Sequence, residues 1–424
     1  GKVSSGKDGI QMVNGWVERP ITEVLKPNGI KIGPFGSQLK KEMLLSDGVY
    51  RVYGQENVYA HDFNIGDRYL TREHFNRLNS CEILPGDFVM STMGTIGKCA
   101  IVPTTIQRGI MDSHLIRLRF DEKKVRSDYV LQLFSDQFHY LSDQTARLAV
   151  GGIMDGLSVG IVSRLNVIYP ENIEEQGKII KTLSEVDKLI FDQQKLIQKR
   201  KDIRQGTMQM LVTGKKRLSG FDGDWVKINL SKNSKLKARI GWQGLTTAEY
   251  LDEGYSYLIT GTDFKDGQIN WGGCHYVDYD RYAQDTNIQV SNGDLLLTKD
   301  GTIGKVAFVS DLKRPATLNS GVFLVKPITD AYTAHFMFYV LESSVFKDFL
   351  QQLSAGSTIN HLYQKDLVKF DLYVPPTKEE QEAIAAILFD MDSDIHKLEA
   401  KLEKYQKVKQ GMMEELLTGK VRLM

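Results

Sequence analysis

The chain has 424 residues, almost equal numbers of acidic and basic side chains (net charge +1) and three cysteines. That length suits two domains of about 150 residues with connecting elements better than a single core, and the charge balance argues against a protein that simply coats nucleic acid. No run of about 18 apolar residues is present to span a bilayer and no charged-then-apolar leader precedes the first domain, so a cytoplasmic location without membrane contact is expected. Residues Gly1 to Gln11 read as an addition ahead of Met12 and are left out of the expected fold. Cys81, Cys99 and Cys274 lie far apart, with no Cys-x-x-Cys pair and no histidine at ligand spacing, which predicts reduced core thiols and no metal site.

From Trp16 to about Leu165 short alternating runs such as Val49-Tyr50-Arg51-Val52-Tyr53 and Ile116-Arg117-Leu118-Arg119-Phe120 are broken by Gly and Asp. This texture predicts a β-rich domain with helical interruptions such as Ser127 to Ser142. Pro170 followed by Glu174-Glu175-Gln176 then marks a helix start, where free N–H groups favour carboxylates. In the helix that follows, Leu189, Leu196, Ile203 and Met210 recur every seventh residue, flanked by Ile190, Ile197 and Leu211. Lys195, Lys199, Arg200, Lys201, Arg204, Lys215, Lys216 and Arg217 crowd its later part, opposed only by Asp202, as a solvated face or a surface for phosphates. Trp225 to about Phe370 repeats the β texture, and Pro375-Pro376 with Glu379-Glu380-Gln381 opens a second helix. Its apolar positions Ile384, Leu388, Met391, Ile395, Leu398, Leu402 and Tyr405 alternate steps of four and three. That is the pattern of a coiled-coil seam, and the two helices are expected to bury their seams against each other. A helix of about 36 residues is roughly 54 Å long, on the order of one and a half turns of B-DNA, which makes an antiparallel pair a rigid spacer.

The copies match in detail. Gly86-Asp87-Phe88-Val89-Met90-Ser91-Thr92-Met93-Gly94-Thr95-Ile96-Gly97-Lys98 returns as Gly293-Asp294-Leu295-Leu296-Leu297-Thr298-Lys299-Asp300-Gly301-Thr302-Ile303-Gly304-Lys305, and Pro170 to Leu218 returns without a gap from Pro375 to Leu423. Such a repeat predicts a pseudo-symmetric molecule and a target with two halves. Gly-Thr-Ile-Gly-Lys is not a phosphate-binding P-loop. The place of its first glycine holds Thr92 or Lys299, and Cys99 or Val306 follows the lysine where Ser or Thr is required. A tight hairpin turn is expected, and Thr95, Lys98, Thr302 and Lys305 are also candidates for a DNA backbone. Two glycine-rich loops keep their frame and change their side chains: Ile32 to Lys41, with Ser37, Gln38, Lys40 and Lys41 after Lys31, and its counterpart Ile240 to Thr247, with Trp242, Gln243 and Thr246 after Arg239. These side chains suit base edges and phosphates, as do Gly152, Ser357 and Thr358 just ahead of the long helices. No cofactor fingerprint, His-Glu-x-x-His or Gly-x-Ser-x-Gly is present, and His61, His114, His275 and His361 have no consistent partners across the copies.

In this order the motifs resemble the specificity subunits of type I restriction-modification systems. The likeness covers the chain from Trp16 onward and is carried by Leu211-Val212-Thr213-Gly214-Lys215-Lys216-Arg217-Leu218-Ser219-Gly220-Phe221 with Trp225, by Leu416-Leu417-Thr418-Gly419-Lys420-Val421-Arg422-Leu423, and by the paired turns and helix starts. The resemblance implies an α+β fold: two β-rich target-recognition domains (12–165 and 219–372) separated by two long antiparallel coiled-coil helices (166–218 and 373–424) about a pseudo-two-fold axis. It implies a subunit without catalytic activity, each domain reading half of a bipartite double-stranded DNA target. Two modification subunits would dock on the helices, with Thr213, Gly214, Lys215, Arg217, Thr418, Gly419, Lys420 and Arg422 as candidate contacts, and restriction (translocase/endonuclease) subunits would join them. S-adenosylmethionine, ATP and Mg would be bound by those partners, and no cofactor by this chain. Two other readings stay open at this point. One is a coiled-coil scaffold for protein partners. The other is a nuclease using Asp121-Glu122-Lys123-Lys124, a run absent from the second copy.

Overall fold

A computed structural model describes residues 14–149, 156–240, 244–354 and 361–423. Gly1 to Gln11, Gly152, Trp242, Gln243, Ser357 and Thr358 lie outside them. The chain divides into two units, residues 1–194 with 400–424, and residues 195–399, so each long helix gives one half to either unit.

In the first unit, Trp16–Pro20 pairs antiparallel with Asn166–Pro170 at the foot of the domain. One antiparallel sheet runs in the order Leu25–Ile32, Leu115–Phe120, Phe88–Ser91, Cys99–Ile101. A second runs Tyr69–Leu70, Tyr50–Tyr53, Gly109–Met111, Glu82–Ile83, with its central pair parallel. The first sheet is covered on both faces, and strand alternation assigns its side chains. Phe88 and Met90 enter a core with Tyr129, Leu133 and Ile179, while Val89 between them enters the core shared with the second sheet. The interruption expected at 127–142 consists of two helices, Ser127–Leu133 and Tyr140–Ala149, separated by His139 in the left-handed region.

The second unit repeats this plan. Val226–Asn229 pairs with Asp371–Val374, and a sheet runs Ser234–Lys237, Val322–Pro327, Leu295–Thr298, Val306–Phe308, Gln268–Ile269, Phe264–Lys265. A three-stranded sheet runs His275–Val277, Ser256–Ile259, Ala316–Leu318. Leu295 and Leu297 face one core and Leu296 the other, as in the first copy. The copies differ after the first strand of the smaller sheet. The first has a short helix, Gln55–Ala60, where the second has the hairpin Phe264–Ile269.

The long helices span Ile173–Val212 and Lys378–Leu416. In each unit the start of one lies antiparallel to the end of the other, as the ion pairs Lys409–Asp187 (2.7 Å) and Arg204–Asp392 (2.8 Å) record. The seam expected on the central helix is corrected. Leu189, Leu196, Ile203 and Met210 are exposed, between 39% and 50%. The buried line is Ile179, Leu183, Gln193, Ile197, Met208 and Leu211, with Arg204 half-buried on the same face. Counting apolar residues misses it because Gln193 and Arg204 occupy seam places. On the C-terminal helix Ile384, Leu388 and Ile395 are buried as expected, and Met391, Leu398, Leu402 and Tyr405 are half-buried. No described helix is long and apolar enough to cross a membrane.

Candidate nucleic-acid interface

Both Gly-Thr-Ile-Gly-Lys segments are hairpin turns, built alike. The glycines need positive φ (65° and 79° for Gly94 and Gly97, 65° and 85° for Gly301 and Gly304). One hydroxyl closes each turn. Ser91 Oγ donates to Thr95 O (2.6 Å) and accepts from Lys98 N (3.1 Å), and Thr298 Oγ1 donates to Thr302 O (2.6 Å) and accepts from Lys305 N (2.9 Å). Thr95, Thr302 and Lys305 are thereby held at the surface on a rigid frame. Lys98 is paired with Asp136. In the first copy the Tyr59 hydroxyl braces the turn, accepting from Thr95 N (3.1 Å), whereas in the second Asp300 is paired with His361.

Lys31, Ser37, Gln38, Lys40 and Lys41 are all exposed along the stretch leaving the strand Leu25–Ile32. Leu39, Met43 and Leu44 anchor this stretch on the same core as Val89 and Ala100 of the hairpin. Thr246 is exposed but caps a short turn with Glu249, whose carboxyl is pulled down to about 2 chiefly by the Thr246 N–H and by Arg281. Arg239 is a correction. It is 1% exposed, its Nε donates to Leu318 O (2.9 Å) and its Nη2 to Thr317 Oγ1 (3.2 Å), and burial lowers its pKa. It braces the small sheet from inside and cannot reach a ligand at the surface.

The helix-end motifs form two matching clasps. Thr213 and Thr418 donate back to Gln209 O and Glu414 O (2.6 Å each). Gly214 and Gly419 follow with φ of 68° and 75°, so close under Trp225 and Trp16 that an added Cβ would lie 3.1 and 2.8 Å from the indole rings. Arg217 then grips Glu380 with two bonds of 2.7 Å, and Arg422 grips Glu175 at 2.5 and 2.6 Å. The two glutamates are 1% and 2% exposed. Gly214, Arg217, Gly419 and Arg422, expected as contacts for partner subunits, are engaged within the chain, because a buried carboxylate requires a cation, with the two arginine side chains still 28% and 25% exposed; Lys215 and Lys420 are exposed. The third residue of each helix-start motif was legible only as a start signal. Gln176 accepts from Arg126 N (2.9 Å) and donates to Pro170 O (2.8 Å), and Gln381 accepts from Thr333 N (2.8 Å) and donates to Pro375 O (3.0 Å).

A family profile described as the type I restriction modification DNA specificity domain matches residues 14–201 and again 215–405. The chain belongs to the type I restriction-modification specificity family. Two curated relatives from Methanocaldococcus jannaschii are similar along most of their length. The type I restriction enzyme MjaVIII specificity subunit is 25% identical over 334 residues (75% of each chain), and the putative MjaX specificity subunit is 26% identical over 358 residues (80% of each). Among solved structures, the S subunit of the type I system from M. genitalium superposes with a TM-score of 0.55 at 15% identity, covering 95% of this chain and 96% of that one. A chain from a study of assembly and conformational transition of the type I system gives 0.58 at 16% identity, covering 96% and 99%. The α+β fold that the resemblance implies is the fold these structures share with this chain.

Other charges of this specificity-family chain are spent locally. Lys201 pairs with Glu399 (2.7 Å), and Arg204 with both Glu342 (2.5 Å) and Asp392, which removes part of the basic cluster from any phosphate. In the Asp121-Glu122 run, Asp121 accepts from Lys123 N (3.2 Å) and Glu122 accepts from Ser127 N (3.1 Å), the roles of a turn and a helix start. Among the described residues no three His, Cys, Asp or Glu side chains gather as metal ligands. Cys81, Cys99 and Cys274 are buried free thiols, as expected.

Proposed function

We propose that this chain is the DNA-recognition subunit of a type I restriction-modification complex and performs no chemistry itself. Each repeated domain reads one half of a bipartite double-stranded target, and the long helices set the unread gap. The observation that carries this reading is the duplicated frame. Both domains close the same turn on one hydroxyl, Ser91 or Thr298, while the residues around it differ, Tyr59 bracing Thr95 in the first and Asp300 pairing with His361 in the second; a kept frame with changed surroundings suits two readers of different sequences. A partner-recruiting scaffold with no DNA role is not favoured, since the DNA specificity profile covers both repeated domains.

Two methyltransferase subunits would dock on the helices, where Leu196, Ile203 and Met210 leave an apolar line uncovered. Those subunits would bind S-adenosylmethionine, and restriction subunits would bring ATP and Mg. Their basic surfaces would supply much of the phosphate attraction that a chain of net charge +1 lacks. The assembly would work in the cytoplasm. Single-molecule methylation sequencing of the host genome with and without this gene tests the reading. Loss of N6-methyladenine from one bipartite motif is the expected result, and an unchanged methylome in a host whose methyltransferase subunits are expressed would reject it.

A further inference from the structure

Lys299 leaves the strand Leu295–Thr298 at the entry to the second hairpin turn. Its backbone is fixed from both sides, the N–H donating to Gly321 O (2.9 Å) and the carbonyl accepting from Leu362 N (2.8 Å). Its side chain is half-buried, with the ammonium 5.2 Å from the centre of the Phe323 ring. The adjacent Asp300 is held by His361, and among the described residues no carboxylate lies within ion-pair distance of Lys299. Burial lowers its pKa, with Asp300 offsetting only part of that effect. A partly desolvated cation without a carboxylate costs the folded chain stability unless a ligand completes it.

The equivalent place in the first domain belongs to Thr92. Its N–H donates to His114 O (2.8 Å) and its carbonyl accepts from Leu157 N (2.7 Å), the same frame around a buried hydroxyl side chain. The backbone is thus constant while the side chain changes from neutral to cationic. Resting on the specificity-subunit reading above, we propose that Lys299 is a specificity-determining residue of the second domain that donates to acceptors on a base edge, such as guanine O6 and N7. Phosphates are usually met by mobile, hydrated lysines. An ammonium carried on a fixed backbone, against the Phe323 ring and already stripped of part of its water, instead discriminates, because the wrong base leaves it unpaired.

The test is Lys299→Met in the complete complex with its methyltransferase subunits, with duplex affinities measured for every base pair of both half-sites at several salt concentrations. Preference at one base pair of one half-site falls by about 10- to 100-fold, the other half-site is read as before, and the slope of log affinity against log salt is unchanged. The melting temperature changes little, since the contact with the Phe323 ring is the internal interaction given up and the cost of a half-buried cation is relieved with it, and Lys299→Gln gives the same relaxed position. Uniform weakening with the salt slope reduced by about one would make Lys299 a phosphate contact and overturn the proposal. Unaltered base preference, or a lowered melting temperature without relaxed preference, would overturn it as well. A wild-type complex without bipartite preference would instead bring down the specificity-subunit reading itself, a failure recognisable before any variant is compared.

Discussion

Glu175 and Glu380 show how a single residue type can be read correctly for the wrong reason. At the start of a helix a carboxylate is favoured by the free N–H groups, and both glutamates satisfy that rule. Their burial at 2% and 1% demands more than a dipole, and the demand is met by an arginine 247 positions away in one case and 163 in the other. Nothing in the local sequence states these distances. The repeat hinted at them, because both motifs occur twice and always together. Replacing Arg422 by Met leaves Glu175 buried without its cation, at a cost of about 2–4 kcal/mol. Hydrogen–deuterium exchange is expected to show lost protection in the pair Trp16–Pro20 and Asn166–Pro170, and unchanged protection in Val226–Asn229 with Asp371–Val374.

At the level of elements, the hairpins were the most legible and the helix seam the least. A tight turn is closed by its own glycines and by one hydroxyl, all within a few residues, so the local sequence contains most of its physics, and only a brace such as Tyr59 comes from farther away. A seam is fixed by what faces it. Arg204 sits on the buried face because the partner helix supplies Asp392 to it, and Gln193 is buried on the same line, while the more apolar heptad Leu189, Leu196, Ile203, Met210 faces outward. The two lines have separable consequences. Leu388→Ala, at a fully buried position, is expected to destabilise the chain by about 2–5 kcal/mol in chemical denaturation. The pair Leu196→Asp and Ile203→Asp is expected to leave that stability nearly unchanged and to weaken co-elution with the methyltransferase subunits in size-exclusion chromatography. A denaturation midpoint lowered as far as that of Leu388→Ala would show that the outward line is structural.

For the molecule as a whole, each unit is assembled from segments far apart in sequence. The first core joins Trp16, Tyr129 and Leu165 to Ile179 and Leu183 of one helix, to Met413 and Leu416 of the other, and to Leu417 just beyond its end. Exchange of residues 16–165 for the matching domain of a relative is therefore expected to succeed where the residues facing this core are kept. Methylation sequencing should then show one half-site altered and the other retained, and alteration of both halves would contradict independent reading. The sequence by itself determined the duplication, the β-rich texture of the domains, the turns, the helix starts and the family, because each is written in neighbouring residues or in a repeat that can be counted. Only the tertiary structure decided that Arg239 is an internal brace, that Arg217 and Arg422 close clasps within the chain, which heptad is buried, and that Lys299 stands without a carboxylate among the described residues. Those outcomes depend on which distant segment comes to lie against a side chain, and desolvation and pairing are properties of that encounter rather than of the residue.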